Sequence, residues 1–312
     1  MNRLTSLTTG LAAAALGAAA FAPGASAAGV AGVAAAPGAD FRTTASSEAP
    51  SGTRAYGLLL GGALASFSLD DPRDVERLGP ITGYAEGDTS LVGIDIRPSS
   101  GALYGVGDGG GVYVIDPTDQ TAENVGTLSV PLSGEQFGVD FNPAADALRI
   151  VSDASQNLRV TFSGPAVATT VTDGSLNSGA VPPVPVTGVS GAAYTNNDNS
   201  ALTGTSLLDI NPVARNLSVQ APANQGSLSP VGNLRRNFGP DTSFDVYSRT
   251  NARGATVDNA GYAVSDRGTS QLLWRVNLTT GQSSLVGDFP SNRRVGDLAI
   301  ELPDNTTPVP AP

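Results

Sequence analysis

Apolar and polar positions along this chain come in short alternating or solidly apolar runs, cut by turn residues at close intervals. Between Leu91 and Leu128 the runs LVGIDIRP, GALYGVG, GVYVIDP and TAENVGTL follow one another. Pro98-Ser99-Ser100-Gly101, Asp108-Gly109-Gly110-Gly111 and Asp116-Pro117 punctuate them. Such a two-residue period between turn signals predicts strands rather than helices. Ile94/Ile96, Tyr113/Ile115, Val139/Phe141 and Leu273/Val276 are the candidate core. Trp274, the single tryptophan, is read as packing.

The pattern repeats. Gly93-Ile94-Asp95-Ile96, Gly138-Val139-Asp140-Phe141, Gly191-Ala192-Ala193-Tyr194 and Ser243-Phe244-Asp245-Val246 open successive units. Their third positions, 95, 140, 193 and 245, are 45, 53 and 52 residues apart. In the last complete unit the strands read SFDVYS, AGYAVSD, LLWRVNL and SSLVGDF. Four short strands at such a period are the signature of propeller blades. A fifth opening strand, Asp297 to Leu302, has no strands after it. Ala55–Leu60, Ala63–Leu69 and Arg77–Thr82 form three strands with no opening one before them. Joining the two sets completes a fifth blade and leaves no open sheet edge at the seam. The expected fold is all-β: a closed propeller of about five four-stranded blades over residues 54–303, the last strand completing the first blade. The irregular stretch Asp241 to Gly261 is expected to hold a longer loop.

Composition adds the compartment. Arg3, the weakly apolar run Leu11–Phe21 and the small residues of Ala25-Ser26-Ala27 predict a signal peptide over 1–27, cleaved after Ala27. The run is too short for a membrane span. Residues 28–53, rich in Ala, Gly, Pro and Ser, are read as a flexible leader, and 304–312 as a polar, Pro-rich tail. The chain carries 28 acidic and 17 basic residues, for a net charge of −11, and about −12 once Arg3 is removed. So acidic a surface repels phosphate backbones and anionic lipid, so neither nucleic acid nor a membrane is an expected partner. The expectation is a secreted, extracellular monomer.

The same composition excludes chemistry. With no cysteine there are no disulfides, thiolate metal sites or cysteine nucleophiles, and the fold must rest on its core. With no histidine there is no Ser-His-Asp arrangement. Every basic residue is arginine, so Schiff-base lysines and P-loops are absent too. Gly105 to Gly110 matches G-x-G-x-x-G, but a strand follows where a dinucleotide site needs a helix.

Several of these segments together resemble a bacterial secreted family known as domain of unknown function 4394. They are LVGIDIRPSSGALYGVG, GVYVIDP, FGVDFNPAADALRIVSDASQNLRV, TDGSLN and GAAYTNN. The resemblance runs from about Ala55 to Leu302. It implies an extracellular propeller-like domain and brings no activity and no site residues.

Three sets of residues remain as candidates. Asp95, Asp140 and Asp245 lie on the opening strands, which line a propeller's channel. They could hold a cation or share protons, or could bond turn amides and fix their blades. Ala193 interrupts this ring. Arg149 and Arg159, with the Ser152–Asn157 loop, could bind sugars or carboxylates bidentately, or could pair with nearby acids. The turns Asp108–Gly111 and Asn196–Asn199 carry oxygens that calcium favours, and also suit left-handed turns. No catalytic residue, resident metal or cofactor is expected. The leading function is a non-catalytic module that binds an extracellular protein or glycan. The alternatives are a carboxylate-based glycan hydrolase and a structural envelope protein.

Overall fold

A computed structural model describes residues 48–200 and 203–303. The signal peptide read over 1–27, most of the leader and the tail 304–312 lie outside the described residues. Residues 48–53, at the end of the leader segment, are placed against the fold. The Ala49 amide donates to the Tyr262 hydroxyl at 3.0 Å, and Ser51 and Gly52 both donate to Asp70.

Twenty strands pair into five antiparallel four-stranded sheets. The first blade holds β1 (Arg54–Leu59), β2 (Ala63–Ser68) and β3 (Asp71–Pro80). The second is β4 (Leu91–Arg97), β5 (Ala102–Gly107), β6 (Gly111–Ile115) and β7 (Ala122–Thr127). The third is β8 (Phe137–Asn142), β9 (Ala147–Ser152), β10 (Asn157–Ser163) and β11 (Ala166–Thr172). The fourth is β12 (Gly191–Tyr194), β13 (Leu207–Asn211), β14 (Asn216–Gln220) and β15 (Leu228–Asn233). The fifth is β16 (Ser243–Thr250), β17 (Thr256–Arg267), β18 (Ser270–Val276) and β19 (Ser283–Asp288). Finally β20 (Val295–Ile300) returns to pair with β1 and becomes the innermost strand of the first blade. The expected five-bladed closed propeller is therefore what forms. The G-x-G-x-x-G segment is the β5–β6 hairpin.

Two details differ from the sequence reading. The third strand starts at Asp71 rather than Arg77, and Pro72 falls inside it. An outer edge strand has one side unpaired, so a proline there costs no ladder bond. No long loop breaks the stretch Asp241–Gly261. Instead β16 and β17 run on as an extended hairpin whose turn is Asn251–Ala255. The Asn251 side chain accepts the amides of Arg253 and Ala255 and closes that turn locally.

The inner strands β20, β4, β8, β12 and β16 each touch the next around the ring, and β16 touches β20 to close it. They approach so closely that the glycine of the opening motif has a steric reason. A Cβ on Gly138 would sit 2.6 Å from the Ala192 nitrogen, and one on Gly191 would sit 2.8 Å from the Phe244 Cβ. Between blades the core is dry: Ile94, Phe141, Val160, Leu208 and Leu273 are all fully buried. Trp274 is 2% exposed and stacks on Phe238 with ring centroids 5.4 Å apart. The second and third blades are also clamped by Arg97, which is 5% exposed, pairs with Asp146 and lies 4.6 Å over the Phe162 ring.

Gly138→Ala should therefore destabilise the fold by about 1–3 kcal/mol, because backbone rather than a mobile side chain must give way. Gly204→Ala, with open space around it, should stay within about 0.5 kcal/mol. Chemical denaturation midpoints of the two variants test the difference, and equal midpoints would remove the steric argument.

Candidate functional site

The axis carries the features that all five blades build together. Each opening strand contributes a position near the channel, and four of these are aspartates: Asp95 on β4, Asp140 on β8, Asp245 on β16 and Asp297 on β20. All four are buried. Carboxylate oxygens of Asp95, Asp140 and Asp245 lie within 4.8 Å of one another.

Their partners are backbone amides of the neighbouring blade. The Phe141 amide donates to Asp95 at 2.7 Å and the Tyr194 amide to Asp140 at 2.9 Å. The Ile300 amide donates to Asp245 at 2.6 Å and the Ile94 amide to Asp297 at 2.8 Å. Asp95 and Asp245 also accept the amide that follows them in their own strand. Each carboxylate thus stitches one inner strand to the next. At Ala193 the stitch is missing. The fourth and fifth blades are joined instead by Ser190, which donates to the Thr242 carbonyl, and by Asn197, which donates to the Val246 carbonyl.

Burial is the first cause of a raised carboxyl pKa at every one of these four positions. Asp95, Asp140 and Asp297 are pushed well up, with charge from neighbouring acids of the ring adding to the effect. Asp245 rises to about 6, held lower by its two amide bonds. Four buried carboxyl groups beside one another resist ionising together, so the ring keeps its protons to higher pH than isolated aspartates do. One oxygen each from Asp95, Asp140 and Asp245 could also meet a hard cation, although the amides already supply part of the positive charge such an ion would bring.

The channel's two ends are unlike. At the face where the inner strands begin, a funnel of about 340 Å³ opens, lined by residues from every blade. Its polar wall includes Glu135, Gln136 and Asp241, and its apolar wall includes Leu60, Leu91 and Phe137. Asp241 is raised by burial and by the charge of Asp266. At the other face the segment after β12 crosses the exit. Asn199 donates to the Pro98 carbonyl beyond the end of β4, although β8 stands between β12 and β4 in the ring. Asp198 accepts the Thr256 amide at 2.7 Å, and Asn196 and Asn259 bond one another reciprocally. The Asn196–Asn199 turn is thus a plug built over the exit.

The other sequence candidates lie elsewhere. Arg149 is 2% exposed between the third and fourth blades, bonded to Asn157, Tyr194, Asp173 and Asn224. Arg159 pairs with the same Asp173 at 3.1 Å. Neither joins the axial ring. Asp108 accepts the amides and hydroxyls of Thr89 and Ser90, and Asp88 accepts the amides of Gly109 and Gly111 and the hydroxyl of Tyr113. Both turn carboxylates are therefore occupied within the loop. Three buried acids were not singled out from the sequence, and one of them, Asp258, pairs with Arg249. Asp297 had a signal, since it begins the orphan fifth opening strand. Asp209 had another: it stands alone in the apolar run Leu207-Leu208-Asp209-Ile210.

Because these acids bind their protons more tightly folded than unfolded, stability is greatest at the ordinary carboxylate range and falls as pH rises above it, through about 6 for Asp245 and about 8 for Asp209. The melting midpoint should be higher at pH 5 than at pH 8. Asp245→Asn keeps an acceptor for the Ile300 amide and should shrink that difference. A midpoint that is flat or rises toward pH 8 would contradict the buried-acid account.

Among the described residues no helix is long and apolar enough to cross a membrane. The family described as domain of unknown function (DUF4394) matches residues 63–299. No curated protein matches the chain. Similar solved structures include a protein from Lactobacillus plantarum, 13% identical over 82% of this chain and 69% of its own, with a TM-score of 0.36. TolB from Acinetobacter baumannii is 12% identical over 80% of this chain and 67% of its own, at 0.37. Sqt1 from Saccharomyces cerevisiae is 11% identical over 66% of this chain and 64% of its own, at 0.35. The chain thus spans about two thirds of the length of these structures. The fold stated above rests on this chain's own strand pairing.

Proposed function

Since the chain belongs to the DUF4394 family of unknown function, we propose its role from its own geometry: a non-catalytic, exported scaffold that binds an extracellular protein or glycan at the axial funnel. The observation that carries this reading is that all five blades line one opening above a channel plugged at its far end. A ligand there meets a mixed surface: Phe137 and the half-exposed Leu60 offer apolar faces, and Glu135, Gln136 and Asp241 offer hydrogen-bond acceptors. Sugars and protein loops are bound by that combination of a few directed polar groups and apolar contact. The export-type N-terminus supports the extracellular setting.

Hydrolysis of glycosides needs two carboxyl groups about 5–9.5 Å apart on either side of an accessible bond. The axial aspartates instead are buried and bonded to backbone, which favours a structural role for them. A binding screen against polymeric glycans and secreted proteins tests the proposal. The double variant Phe137→Ala/Asp241→Asn should lose at least about tenfold in affinity for any ligand found, through lost apolar contact and a lost acceptor. Reducing-end release from any glycan, abolished by Asp95→Asn or Asp140→Asn, would overturn it in favour of an enzyme.

A further inference from the structure

A second site lies off the axis, in the wedge between the third and fourth blades. Across the fourth blade the register places Ala192, Asp209, Ser218 and Pro230 side by side in one row. These are small or short side chains where the next row on that face carries Tyr194, Leu207, Gln220 and Leu228, so the row leaves a cavity of about 180 Å³. Its mouth is formed by exposed Ser178, Ala214 and Pro230, and its floor by buried Val189, Asp209, Ser218 and Leu228. The mouth is near the β13–β14 turn, on the same face as the axial funnel.

Asp209 is 1% exposed, and neither of its carboxylate oxygens has a hydrogen-bond partner. A buried acceptor left unmade costs about 1–3 kcal/mol, and more when charged. The nearest cation does not relieve it: Arg149, on β9 of the facing blade, spends its donors on Tyr194, Asn157, Asp173 and Asn224. The axial aspartates differ, because each of them accepts a backbone amide. Among the described residues, Asp209 is thus a buried acid at the wall of a cavity with neither oxygen hydrogen-bonded.

We propose that this cavity binds a guanidinium group, supplied by an arginine side chain of a partner protein or by a small free guanidinium compound. Two coplanar N–H donors match the two free oxygens bidentately, and guanidinium is more cheaply dehydrated than ammonium. Val189, Leu228 and Pro230 flank the acid and suit an apolar stem. The volume is below the roughly 300–1,000 Å³ of pockets for larger ligands, which limits the occupant to one side chain or a molecule of that size. The protein's net charge of −11 draws cations toward it.

Burial raises the Asp209 carboxyl to about 8, and Arg149 pulls it back in part. Arg149, on β9, is the charged group that acts on it, and Arg149 is itself bonded to Asp173 after β11 and Tyr194 on β12. A cation must therefore displace the Asp209 proton, so affinity should rise about tenfold per pH unit below 8 and level off above it.

Calorimetric titration of the purified chain with methylguanidinium, at pH 6, 7 and 8, tests the site. Saturable binding that tightens with pH, and falls at least about tenfold in Asp209→Asn, is the expected result. Asp209→Asn removes an ionisable buried group without changing its shape, so its melting midpoint should stay level or rise, which separates lost binding from lost folding. An Arg-containing tripeptide that binds more tightly than methylguanidinium assigns the site to a partner's side chain, and the reverse order assigns it to a small molecule. No saturable binding by the wild type, or equal binding by Asp209→Asn, overturns the proposal. Phe137→Ala, at the axial funnel, should leave this binding unchanged, so the two sites stand or fall separately.

Discussion

The approach of five inner strands to a common axis is the constraint on which the rest of this molecule depends. Each inner strand pairs on one side with its own blade and has no ladder partner on the other. Backbone amides left in that position, away from water, need an acceptor. Asp95, Asp140, Asp245 and Asp297 supply it, each reaching across to the next blade. The same crowding removes side chains where strands cross, which is why Gly138 stands two residues before Asp140 and Gly191 two residues before Ala193. Glycine and aspartate in the opening motif are two answers to one geometric problem.

That solution has an electrostatic cost. Three of the carboxyl groups placed for their hydrogen bonds, Asp95, Asp140 and Asp245, end with oxygens within 4.8 Å of one another, buried. Their ionisation becomes unfavourable, and protons remain in the channel where isolated aspartates would be charged. The fourth blade breaks the pattern with Ala193, and the chain compensates at that junction with Ser190 and Asn197. The latter belongs to the turn that also closes the exit, so the break in the ring and the plug are parts of one local arrangement. Closing one end leaves the funnel at the other as the axial opening shared by every blade.

Asp209 shows the opposite use of a buried acid. It lies one strand out from the axis, where Ala192 and Ser218 leave room beside it and no amide turns toward it. A carboxylate bonded to backbone is a structural tie. The same group with both oxygens free, at the floor of an open-mouthed cavity, is a receptor for something that brings its own donors.

Much of the fold was legible in the chain, because blade architecture is written locally. The spacing of Asp95, Asp140, Ala193 and Asp245, the turn residues between short apolar runs, and the orphan strands at both ends set the number of blades and the way the ring shuts. The extended β16–β17 hairpin was not legible, because its pairing is held by the Asn251 turn and by Asp198 from another blade rather than by a local apolar pattern. For the site, the sequence by itself determined which residue types were present to do chemistry: aspartate and arginine, without histidine, cysteine or lysine. Only the tertiary structure decided what each acid does. The axial acids meet amides 46 to 203 positions away, Asp173 meets an arginine 24 positions away, and Asp209 meets a cavity; which of these an aspartate finds depends on how the blades pack, not on the residues beside it in the chain.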